Sequence, residues 1–129
     1  MGVGDRTLDR LVTVAEYELV SSASACEEAM TALSTRTERE GLEGVVNYRF
    51  YSGAEGTDAG AVVTYADPAT WPRHHEMVAT WEEYPVLQAT VRLTAYRVFG
   101  PASFEVRARL EAANLPVRLF PRLAAGFDR

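Results

Sequence analysis

Between Leu11 and Leu19 the chain reads LVTVAEYEL, with Val12 and Val14 on one side of a strand and Leu11, Thr13, Ala15 and Tyr17 on the other. Both sides are largely apolar until Glu16, which predicts a strand covered on both faces. A period of three to four follows, with Cys26, Ala29, Met30, Leu33 and Thr37 on one stripe and most charges outside it. That spacing predicts a helix to about Glu40, opened by a Ser24–Glu27 capping box and closed by Gly41 in a left-handed cap. Period two returns over Val45 to Ser52, with Val46, Tyr48 and Phe50 facing one way and Val45, Asn47, Arg49 and Tyr51 the other. The glycine-rich segment Gly53 to Gly60 reads as a hairpin loop, so the third strand, Gly60 to Ala66, should pair antiparallel with the second.

The third strand ends in Tyr65 and runs into Asp67-Pro68, where Asp can cap a helix and Pro can occupy its first position. Trp71, His74, Val78 and Trp81 then recur at spacings of three and four, placing two indoles and an imidazole on one helix face that ends near Trp81. Pro72 requires a helix that begins at Thr70 or a distorted first turn. Glu82 to Gln88 reads as a short helical piece, and Thr90 to Phe99 as the fourth strand, stopped by Gly100-Pro101. Ala102 to Asn114 is helical in pattern and Pro116 ends it. Val117 to Phe120 is an apolar run with the character of a fifth strand.

The order β-α-β-β-α-β, then helix and strand, predicts an α+β fold of the ferredoxin-like split-βαβ type, with an antiparallel sheet and both main helices on one face. The opposite face is also apolar in alternation and needs a cover. A second copy of the sheet is the simplest one, giving a homodimeric, closed α+β barrel. The last strand is then expected at the dimer interface, with crossing to the partner's sheet as one arrangement.

With 129 residues, the chain is expected to be a single domain: a loose entry segment at 1–10, the barrel, and a C-terminal extension at 101–129. Its formal charge of −5 argues against a nucleic-acid partner. All thirteen basic residues are Arg, scattered along the chain, in keeping with a GC-rich genome rather than phosphate recognition. The single Cys26 excludes an internal disulfide and falls on the apolar stripe, which favours a buried small hydrophobe over a nucleophile. No apolar run approaches the ~20 residues that span a bilayer, and the start of the chain has no secretory hydrophobic segment. A cytoplasmic protein without a membrane association is the expectation. The sequence also lacks a phosphate-cradling Gly loop and a cluster of metal ligands, so no cofactor and no metal are expected.

The run Tyr65-Ala-Asp-Pro-Ala-Thr-Trp-Pro-Arg-His74, followed by a fourth strand ending in Val98-Phe-Gly-Pro101, resembles the dimeric α+β barrel proteins of the antibiotic-biosynthesis-monooxygenase type. In that family a strand ends in an aromatic residue, usually Trp, followed by a Pro-bearing turn and a helix carrying His. Tyr65 stands at the Trp and His74 at the His. The resemblance covers roughly Leu11 to Pro101 and implies cofactor-free oxidation of polycyclic aromatic or quinol-type molecules. The oxygenases tend to carry an Asn four residues before the Trp and a Tyr six residues after it; here those places hold Ala61 and Trp71. Haem-degrading relatives need an Asn on the first strand, where this chain has Thr13 and Ala15.

His74 is the candidate general base or hydrogen-bond anchor, because an imidazole titrates near neutrality. Alternatively it is structural, packed on Trp71 and bonded to a carbonyl. His75 points about 100° away around the helix and reads as a surface or interface residue. Tyr65 could donate to a substrate oxygen as charge develops there, or simply end a strand. Trp71 and Trp81 could stack on an aromatic ligand or serve as core, and Tyr48 and Phe50 could share that pocket. Arg49 and Arg97, on strands, read as paired across a dimer interface or aimed at an acidic ligand. A monooxygenase is the first reading; a non-catalytic small-molecule-binding or assembly module on the same barrel is the alternative.

Overall fold

The structure, a computed structural model, describes residues 9–129; most of the expected entry segment at 1–10 lies outside the described residues. The elements are β1 (Leu11–Leu19), α1 (Ala23–Glu40), β2 (Val45–Ser52), β3 (Asp58–Tyr65), α2 (Thr70–Val78), α3 (Glu83–Gln88), β4 (Val91–Phe99), α4 (Phe104–Ala112) and β5 (Val117–Phe120). The strands form one sheet in the order β2-β3-β1-β4-β5. Neighbours among the first four are antiparallel, and β5 is parallel to β4. This is the ferredoxin-like α+β arrangement with one added strand. The fifth strand pairs with β4 of its own chain. A parallel partner needs a crossover of a dozen or so residues, and α4 supplies it, so β5 joins the edge of its own sheet.

Local chemistry sets the boundaries, in places differently from the periodicity. Ser22, not Ser24, caps α1, its hydroxyl accepting from the Ala25 amide at 3.1 Å. Gly41 closes that helix in extended rather than left-handed backbone, its amide bonded to the Thr37 carbonyl. The β2–β3 register slips between Val45 and Asn47, so Val45 joins Tyr48 and Phe50 on the helix side and Val46 leaves that row. Such a bulge is invisible to a strict period-two reading. At the exit from β4, Gly100 has φ +117°, and a Cβ there would lie 2.5 Å from the Arg10 carbonyl oxygen.

The helices cover one sheet face over two apolar clusters. Leu11, Tyr65, Trp71, Val98, Val106 and Leu110 belong to the first, beneath α2 and α4. Cys26, Leu33, Val78, Trp81 and Leu87 belong to the second, beneath α1 and α3. Tyr48 packs against both. Cys26 is a buried small hydrophobe beside Met30. Among the described residues no helix is long and apolar enough to cross a membrane.

Candidate functional site

Tyr65 closes β3 with its ring 1% exposed. The turn after it is fixed by Asp67, whose Oδ1 accepts from the Thr70 amide at 2.9 Å and the Thr70 hydroxyl at 3.0 Å. Gly44 lies against this turn, and a Cβ there would fall 2.3 Å from Thr70 Oγ1. The helix α2 therefore begins at Thr70, and Pro72 takes its third position, where an amide would have no intrahelical acceptor.

The same helix projects His74 onto the sheet. Its ring centroid is 5.4 Å from that of Tyr48 and 5.8 Å from that of Tyr65, both edge-on. His74 is 3% exposed, and among the described residues nothing answers its Nδ1. Leaving such a group buried and unpaired costs roughly 1–3 kcal/mol. Burial, with His75 adding to it, pushes its pKa down to about 3, so the imidazole is neutral at physiological pH.

His75, read as a surface or interface residue, is half-buried against its own helix. Its ring sits 4.3 Å from the Trp71 indole, and its Nδ1 donates to the Trp71 carbonyl at 2.8 Å. Burial lowers its pKa too, against the raising effect of that carbonyl. Trp71 in turn donates its indole N–H to the Tyr96 hydroxyl at 2.8 Å. Phe50 meets Tyr48 edge-on at 5.2 Å. Trp81 stands apart from this group. The helix stops at Val78, and Trp81 turns into the second cluster with the Arg36 guanidinium 4.7 Å above its ring.

Sheet register reveals residues that the local pattern missed. Phe50, Ala61, Ala15 and Tyr96 lie in one row across β2, β3, β1 and β4, on the helix side. The two alanines, both buried, form the floor between two larger rings. Tyr17, Tyr48 and Tyr96 lie deep enough that burial raises their phenol pKa values, yet each is only half-buried. Tyr84 lies near enough to all three to add to that rise. The Thr13 hydroxyl, beside both Tyr65 and Tyr96, holds their upward shifts back. The result is a cluster of protonated phenols and neutral imidazoles on the helix side of the sheet, with no formal charge among them. No sequence signal marked Tyr17, Tyr84, Tyr96 or Thr13, because only long-range strand pairing brings them together.

Charged groups lie elsewhere. Arg97 pairs with Glu16 of its own chain, on the sheet face away from the helices, which corrects the expectation of a pair across an interface or to a ligand. Arg49 is exposed on that same face. Among the described residues no His, Cys, Asp and Glu side chains gather closely enough to hold a metal ion. Two surface cavities flank α1. One of about 310 Å³ is lined by Glu27, Met30, Ser34, Phe50 and Ser52. The other, about 250 Å³, lies toward Glu83 and Val86.

Among solved structures the chain is similar to MupZ from Pseudomonas fluorescens, with a TM-score of 0.74 and 20% identity over 93% of this chain and 94% of that one. The fold is shared. It is also similar to SnoaB, a cofactor-independent oxygenase from Streptomyces nogalater, with a TM-score of 0.58 and 11% identity over 74% of this chain and 95% of SnoaB. A conserved Bacteroides thetaiotaomicron protein, described as a possible oxidoreductase, matches with a TM-score of 0.57 and 11% identity, over 71% of this chain and 97% of that one. No family model and no curated protein matches the sequence. At these identities the likeness is one of fold, and the site carries the functional argument.

Proposed function

We propose that the protein is a cytoplasmic, homodimeric, cofactor-independent monooxygenase of the antibiotic-biosynthesis type, acting on a neutral polycyclic aromatic or quinol-type molecule held between helices and sheet. The observation that carries this reading is His74: a buried, neutral imidazole with an unanswered Nδ1, edge-on to the Tyr48 and Tyr65 rings. A base with so low a pKa in the empty site gains strength when an anion forms beside it, because the imidazolium then has a partner. His74 takes a proton from an acidic C–H of the substrate, and Tyr65 donates to the oxygen on which charge develops. The carbanion passes an electron to dioxygen, the radical pair combines into a C–O bond, and the peroxide recovers the proton from His74. Loss of water leaves a ketone, so that a substrate methylene group and dioxygen together give a carbonyl group and water. Tyr48, Phe50 and Trp71 wall the ring system, while the position of Trp81 fits a packing role.

Ala61 in the floor row and the placement of both surface cavities away from His74 favour the second reading, a non-catalytic small-molecule-binding or assembly module. Oxygen uptake with anthrone-like and naphthoquinol substrates, without added flavin or metal, separates the two. The first reading expects uptake by the wild type and a loss of about 100-fold or more in His74→Phe. Absence of uptake across the panel leaves the binding module.

A further inference from the structure

We propose that the cavity between α1 and the end of β2 binds a small organic ammonium ion, a protonated amine on a short apolar body, with Glu27 as its counter-ion. The site is separate from His74 and stands whether or not the chain is an oxygenase. The space is the cavity of about 310 Å³, within the size range of small-molecule sites. Its apolar lining is Met30, 5% exposed, and the half-buried Phe50. Glu27 is tied across it: the Ser52 hydroxyl donates to Glu27 Oε2 at 2.7 Å, which holds the carboxylate and leaves Oε1 over. Among the described residues no cation pairs with Glu27. The Thr31 hydroxyl spends its hydrogen on the Glu27 carbonyl at 2.8 Å, so towards a ligand its oxygen can only accept.

Such a lining, rich in acceptors and without an Arg, disfavours an anion and suits a charged donor. A protonated amine answers the carboxylate, while its apolar body covers the Met30 thioether and the Phe50 ring, and an aromatic ring attracts a cation within about 6 Å of its centroid. The chain's net charge of −5 draws cations towards it. Ser52 is a positioning residue, because a carboxylate fixed before the ligand arrives loses less entropy on binding than a free one. The other cavity is less suited. Its Glu83 is already paired with Arg36 at 2.8 Å.

The test titrates the full chain, methyl-labelled at methionine, with 2-phenylethylamine, 2-phenylethanol and phenylacetate at pH 7 and follows the Met30 methyl resonance. The three probes share a ring and differ in charge. The amine should shift Met30, and the alcohol and the acid should bind about tenfold more weakly or worse, as expected for one charge-assisted hydrogen bond. Glu27→Gln should weaken the amine about tenfold and Ser52→Ala roughly threefold; both side chains are exposed, so the fold survives the changes. Glu28→Gln removes the same charge from the neighbouring, exposed position outside the cavity and should leave the amine's affinity unaltered. Equal affinity for the three probes, equal loss in the Glu27 and Glu28 variants, amine binding that leaves Met30 unmoved, or a wild type that binds no amine would overturn the proposal.

Discussion

His74 couples the candidate site to pH. Its folded pKa of about 3 lies below the unfolded value of 6.5 because burial penalises the charged form. Above pH 6.5 both states hold a neutral imidazole and the group contributes nothing. As pH falls below that value the unfolded chain takes up a proton that the folded chain refuses, so stability declines until the folded pKa is reached. The slope from this one group is at most about 1.4 kcal/mol per pH unit, and His75, lowered in the same direction, adds to it. Denaturant midpoints measured from pH 7 to pH 4 should fall less steeply in His74→Phe than in the wild type; parallel curves would show that His74 is protonated in the native state. Residue by residue, the sequence shows part of this site and hides the rest. Tyr65, Trp71 and His74 are legible together because one strand end, one Asp turn and one helical period place them. The contacts of His75 are hidden because a helical angle says where a side chain leaves the axis, not that Trp71 offers a carbonyl and a ring to hold it. Tyr96 is illegible, since its neighbours are set by pairings between β1, β3 and β4 that no local window contains.

The added helix and strand show what one element contributes to the core. In α4, Val106 and Leu110 are buried one turn apart, Ser103 caps its start, and Arg109 pairs with Glu76 on α2. Then β5 lays Val117 and Leu119 onto the cluster that holds Tyr65 and Trp71, while its backbone pairs with β4 from Tyr96 to Phe99. Losing two half-buried aliphatic side chains costs about 2–4 kcal/mol before the ladder bonds are counted. Deleting residues 115–129 should therefore lower the melting temperature by roughly 10 °C, and an unaltered melt would make the strand an appendage. The β-favouring run and the proline before it make this strand readable in the sequence. Its parallel pairing is not, because edge choice depends on how α4 packs. The same limit explains Trp81: the apolar period continues past Val78, but Ala79 and Thr80 close the helix there, with the Thr80 hydroxyl donating to the Met77 carbonyl at 2.7 Å.

At the scale of the whole molecule, the sheet face turned away from the helices carries the remaining apolar surface. Val12, Val14, Val62 and Phe99 stand on it, and Phe120 on β5 extends it, stacked on Phe99 with centroids 4.8 Å apart. Phe99 and Phe120 are 38% and 37% exposed, too open for a finished core. Two charges on this face are already answered within the chain, Arg97 by Glu16 and Arg92 by Glu18, so apart from the exposed Arg49 a covering surface need bring little countercharge. A second copy of the same face meets that condition, which supports the proposed homodimer, with each residue opposing its own mate or a neighbour across a twofold axis. An unpaired carboxylate placed centrally in such an interface costs several kcal/mol. Sedimentation at micromolar concentration should show a dimer for the wild type and a folded monomer for Val62→Asp. Val86→Asp, a change of the same kind on the exposed side of α3, should leave the dimer intact. A wild type that sediments as a monomer would remove the homodimer from the proposal. Loss of the dimer in both variants would place the contact on the helices instead of the sheet.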